Sequence, residues 1–183
     1  VGAPFTDVSG LADRGNAYSF TVAGLHASGF DTSGDPTALA TQAEIDQLGA
    51  AALERWAEAG LSAAALAGLR RVRFQITDLN GSLLGLAAGN VIWVDQDAAG
   101  FGWFVDSTPK TDEEFNEVGG QMNWIKGIDL LTVLAHELGH VLGFEHDSDP
   151  DHLMSDTLTS GTRLLPIGTS DDIDRAFTNA DWP

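Results

Sequence analysis

Apolar positions change period several times along this chain, and each change predicts an element. Ile45, Leu48, Ala52, Leu53 and Trp56 recur at helical spacing. Thr41 and Glu44 precede them in the arrangement of a capping box, and Gly60 closes the stretch. Leu61 to Leu69 reads as a short second helix. From Val72 to Leu79 the period drops to two, with Val72, Phe74 and Ile76 alternating against polar residues, which predicts a half-buried strand. Asn80-Gly81 is a turn signal. Ser82–Ala88 and Val91–Val94 read as two further strands broken by Gly89-Asn90, Asp95–Gly102 as a loop, and Trp103–Val105 as a short strand. Thr108–Gly127 is long and polar and is expected to cross the surface. At the two ends, Ala17–Ala23 alternates as a strand does, and Ser170 is placed to cap a last helix over Asp171–Phe177. No internal repeat is present.

The most apolar stretch runs from Leu130 to His146, LLTVLAHELGHVLGFEH, with Asp129 placed to cap it. A helix turns about 100° per residue, so His136 and His140 lie one turn apart on one face, with Glu137 at its edge. Gly143 suits the left-handed backbone that ends many helices, and the chain can then return His146 to the same place. Leu130, Leu131, Val133, Leu134, Leu138, Val141 and Leu142 imply that the helix is buried. Buried imidazoles and a carboxylate without partners cost several kcal/mol, at the level of ~1–3 kcal/mol or more per group. A metal ion and its water remove that cost. Three nitrogen ligands leave one tetrahedral position open, the pattern of a catalytic zinc site rather than a structural one. His136, His140 and His146 are therefore the candidate ligands and Glu137 the candidate catalytic residue.

With 183 residues and 43% hydrophobic content, the chain suits one domain. No run is apolar and long enough to span a bilayer. The opening at Val1 reads as a mature form or an excised fragment. Cysteine is absent, which excludes disulfides and thiolate ligands. The net charge of −18, from 27 acidic and 9 basic residues, argues against nucleic acid and anionic membrane as partners. It is read first as a solvated acidic surface.

HELGHVLGFEH resembles the elongated zinc motif of the metzincin metalloendopeptidases, and Met154, within HDSDPDHLMS, resembles their Met-turn methionine. The spacing and the Asp149-Pro150 pair are closest to the matrixin branch, with the proportions of a bacterial matrixin-like domain. The resemblance extends to the Ala52–Trp56 end of the first helix and, weakly, to Val91–Gly102. It implies an α+β, zincin-like fold: a mixed twisted sheet, an active-site helix, and a small C-terminal lobe ending in a helix. Residues 37–183 would form the catalytic domain, divided near 143 and 144, with 1–36 as an N-terminal strand and loop segment that is either part of it or a linker.

The same resemblance implies a secreted, monomeric zinc endopeptidase acting on protein or peptide substrates, in which Glu137 is the general base for a zinc-bound water. Met154 would floor the site, the edge strand around Leu84–Val94 would pair with an extended substrate, and Leu164, Leu165 and Pro166 would wall its pocket. Asp95 and Asp97 are candidates for a calcium site. His26 and His152 match no second zinc site, and the one tyrosine, Tyr18, cannot follow the Met-turn. Two other functions are compatible with the motif. One is a zinc-stabilised binding domain that does not cleave; the other is a peptidase dedicated to processing its own larger polypeptide.

Overall fold

The structure is a computed structural model and describes residues 24–29, 38–115 and 125–167. The expected strand at Ala17–Ala23 and the expected helix at Asp171–Phe177 lie outside them. Elements follow in the order β1 (His26–Ser28), α1 (Gln42–Glu58), α2 (Ala63–Leu69), β2 (Arg73–Thr77), β3 (Gly85–Ala88), β4 (Val91–Asp95), β5 (Trp103–Phe104), β6 (Ile128–Asp129), α3 (Leu130–Val141) and β7 (Thr157–Thr159).

The first helix starts as its sequence predicts. The Thr41 hydroxyl accepts from the Glu44 amide, and the Glu44 carboxylate accepts from the Thr41 amide at 2.8 Å. Ile45, Leu48, Ala52 and Trp56 turn inward. Gly49 lies against the Phe74 ring of β2, where a Cβ would come within 2.4 Å of the ring edge, so helix and sheet meet closely because the residue has no side chain. Mixed helix and sheet are present as expected, but among the described residues the main sheet has three strands, in the order β2-β4-β3. β2 runs parallel to β4, with Phe74 beside Ile92, and β3 runs antiparallel to it, with Leu86 beside Trp93. This corrects the expected edge. β4 lies in the middle of the sheet, bonded on both sides, and β3 alone forms the edge toward α3.

α3 is the buried centre. Leu130, Leu131, Val133, Leu134 and Leu138 have no solvent exposure. Burying each such side chain contributes roughly 1.5–3 kcal/mol. Trp56 of α1 crosses it, donating its indole N–H to the Ala135 carbonyl at 3.0 Å and stacking on Phe144. Asp129 caps the helix by accepting from the Thr132 amide and hydroxyl. The same carboxylate takes a two-pronged bond from Arg163, whose guanidinium also reaches Asp106 at 2.7 Å and Asp112 at 3.1 Å. Arg163 comes from beyond the Met154 segment, so this buried cluster joins the start of α3 to the C-terminal stretch.

Removing one member of a buried charge cluster leaves the others uncompensated, at a cost of about 3–5 kcal/mol. Arg163→Met should therefore lower unfolding free energy by roughly that amount in urea titrations. A loss below about 1 kcal/mol would mean that the cluster does not hold the two parts together.

Candidate active site

Helix periodicity carries His136 and His140 onto one face of α3, and Gly143 turns the chain out of the helix at φ +90°. The Phe144 amide then closes the end by donating to Gly139 O at 3.0 Å. The turn returns His146, so that Nε2 of His140 lies 2.9 Å from Nε2 of His136 and 3.1 Å from Nε2 of His146. All three residues named from the motif come together. They are the group of potential metal ligands found among the described residues.

The rings are oriented by backbone carbonyls, which sequence reasoning did not find. Nδ1 of His136 bonds Leu153 O at 2.7 Å, and Nδ1 of His140 bonds Phe144 O at 2.8 Å. A carbonyl oxygen can only accept, so both Nδ1 atoms carry hydrogen and both neutral rings present bare Nε2 lone pairs. Burial holds His136 well below its ordinary value, down to about 3, and lowers His140 as well, so these imidazoles are neutral at pH 7. Lone pairs pointed at one another across 2.9 Å repel unless a cation lies between them. The donor set, all imidazole nitrogen, fits zinc.

Glu137 is fully buried on the β3 side of α3. Its Cγ lies against Gly85, where a Cβ would come within 2.7 Å, so a side chain at 85 would displace the carboxylate. A glycine inside an otherwise apolar strand was the available signal of that close approach. Oε1 accepts from the Leu25 amide at 3.2 Å, and Oε2 is buried with no hydrogen-bond partner among the described residues. Burial pushes the carboxyl up to about 8, partly offset by the Leu25 amide. The charge of a neighbouring divalent cation would act in the opposite direction and favour the carboxylate.

Met154 is buried beneath the helix, where a Cβ on Gly139 would come within 2.5 Å of its sulfur. Its carbonyl accepts from the Asp147 amide at 2.8 Å, tying the loop after His146 to the turn that also supplies Leu153 O. Leu165 and Pro166 line a hollow with Arg55, Glu58 and Ala59, and β7 pairs with β1. The calcium expectation at Asp95 and Asp97 finds no support. Asp95 is buried and its oxygens accept from the amides of Leu79, Asp97 and Ala99, while Asp97 accepts from Gly100, so backbone donors occupy these carboxylates. His26 bonds Ser82, and His152 lies 3.7 Å from Asp147, both away from the three-histidine cluster.

The chain is similar to known proteins over part of its length. A stretch of 49 residues, 25% of the chain, is 47% identical to karilysin of Tannerella forsythia and covers 10% of that protein. Another of 47 residues, 26% of the chain, is 40% identical to metalloendoproteinase 2-MMP of Arabidopsis thaliana and covers 12% of it. The chain thus spans about a tenth of the length of these relatives where it matches them. The model of the matrixin family, however, matches residues 30–176. The chain belongs to the matrixins, the zinc-dependent branch of the metzincin peptidases that its motif resembles.

Proposed function

We propose that this protein is a zinc-dependent endopeptidase in which His136, His140 and His146 hold the ion and Glu137 is the general base. One observation carries the proposal. Three ring nitrogens converge, two of them left bare by backbone bonds to their far side, next in the chain to a buried carboxylate that has an oxygen without a partner among the described residues. A purely structural zinc site has no use for that carboxylate. Zinc bound there supplies Lewis acidity toward a scissile carbonyl and lowers the pKa of a water molecule toward about 7.

The chain's own groups do the rest. Leu153 O and Phe144 O hold the imidazoles in one orientation, and Met154 and Trp56 exclude water from beneath the helix. Glu137 takes a proton from the attacking water on its carboxylate and returns it to the departing amide nitrogen. No serine or cysteine nucleophile is required. An extended polypeptide would lie along β3, the edge strand next to Glu137, and be held by main-chain hydrogen bonds. The catalytic domain would span 37–183, divided near 143 and 144 into two lobes. Proteins outside the cell are the substrates that suit this reading, and the enzyme is read as a bacterial secreted monomer.

Glu137→Ala should keep stoichiometric zinc and lose casein-cleaving activity by about 10²–10⁴-fold. Cleavage at the parental rate would remove Glu137 as the base. His146→Ala should bind zinc at least about tenfold more weakly, and unchanged zinc content by elemental analysis would take it out of the ligand set. Protons compete with zinc for imidazole. Because His136 is held down to about 3 and His140 below the ordinary histidine value, zinc should be retained at neutral pH and lost only as pH falls toward about 3. Full occupancy after dialysis at that pH would argue for a different donor set.

A further inference from the structure

β1 forms a two-stranded sheet with β7 and also bridges to the stretch that leads into β3. On one side it pairs in parallel with β7, in the register His26–Thr157, Ala27–Leu158 and Ser28–Thr159, with the His26 amide donating to Asp156 O at 3.0 Å. On the other it runs antiparallel to the stretch that leads into β3. There the Ala27 amide donates to Ser82 O at 2.7 Å and the Leu84 amide to Leu25 O at 2.8 Å. An extended segment of this chain is thus held by main-chain bonds on both sides, along the strand edge where an extended substrate is expected.

The segment meets the catalytic carboxylate at one atom. The Leu25 amide nitrogen lies 3.2 Å from Glu137 Oε1. The Leu25 side chain is 1% exposed and packs in the same core as Met154 and Leu158. At Gly24 a Cβ would come within 2.6 Å of Gly85 O, so the residue before Leu25 is one that can approach the β3 edge only without a side chain.

Resting on the proposed function, we infer that Gly24–Ser28 is the chain's own first substrate, seated in the cleft, and that Gly24–Leu25 is the peptide bond cut in cis. The nitrogen to which Glu137 would return a proton is the one already within hydrogen-bond reach of it, and that nitrogen is Leu25 N. The water oxygen bonds to the Gly24 carbonyl carbon and the Gly24 C–Leu25 N bond breaks. A water proton passes through Glu137 to the departing nitrogen. The products are a Gly24 carboxylate and a Leu25 ammonium, and water is the only co-reactant. Until the cut, the segment keeps other polypeptides off the β3 edge.

The test follows the zinc-loaded full chain by intact mass and N-terminal sequencing, with casein cleavage measured in parallel. The expected result is loss of residues 1–24 and a new N-terminus at Leu25, with a first-order rate independent of protein concentration. A chelator, or Glu137→Ala, should abolish it. Gly24→Val should slow the cut at this bond by at least about tenfold and delay the onset of casein cleavage in step with it. A readout that does not require turnover uses the metal-free Glu137→Ala chain. In it the His26, Ala27 and Leu84 amides should resist hydrogen exchange, and adding Leu25→Asp should speed them roughly tenfold or more. Casein cleavage by a chain that stays intact at Gly24–Leu25 would overturn the inference and leave the proposed function standing. Loss of both cleavages would overturn both. A rate that rises with protein concentration, or unprotected amides at 26 and 27, would also overturn the seating in cis.

Discussion

Imidazole lone pairs aimed at one another are an unfavourable arrangement, and much of this structure serves to impose it. The rings cannot swing apart, because Leu153 O and Phe144 O hold two of them by their far nitrogens. Nor can the helix beneath them shift easily. α3 is buried among apolar side chains, crossed by Trp56 and capped by an Asp129 carboxylate that Arg163 anchors. A cation placed among the nitrogens relieves the repulsion that the fold enforces. Local electrostatic strain and metal affinity are here the same feature.

Both carbonyls that orient the rings lie close in sequence to structural turns of the site. Phe144 follows the left-handed Gly143, and Leu153 precedes Met154, whose sulfur occupies the space left by Gly139. Gly85 does the corresponding thing on the other face, where the absence of a side chain lets Glu137 lie against β3. Two glycines on opposite sides of one helix therefore set the distances that matter. On one side lies the floor of the metal cluster and on the other the carboxylate and the strand edge. β1 is the extended segment held between β7 and the stretch that leads into β3.

Much of this was legible in the residues. The capping box at Thr41, the period-two strands, the Asp129 cap and the 3.6-residue spacing of His136 and His140 are local, and local rules predict local structure. The return of His146 was legible as well, since Gly143 announces where the helix must end. The calcium candidacy of Asp95 and Asp97 could not be weighed from the sequence, because two carboxylates in a loop look alike whether they face a cation or the loop's own amides. Which of the two holds depends on how Leu79, Asp97 and Ala99 fold back around Asp95. The edge strand was placed too broadly for a similar reason, since alternation marks a strand without saying which neighbours flank it.

By itself, then, the sequence determined the donor set, its spacing and the helix that carries it, because these depend on residues within about three turns of one another. Tertiary structure alone decided that carbonyls 144 and 153 would fix the ring tautomers and that residues near 25 would reach Glu137. It also decided that β7 would pair in parallel with β1. Backbone amides and carbonyls are the same at every position. No pattern of side chains can say which of them a distant fold will bring to a ring nitrogen or a carboxylate.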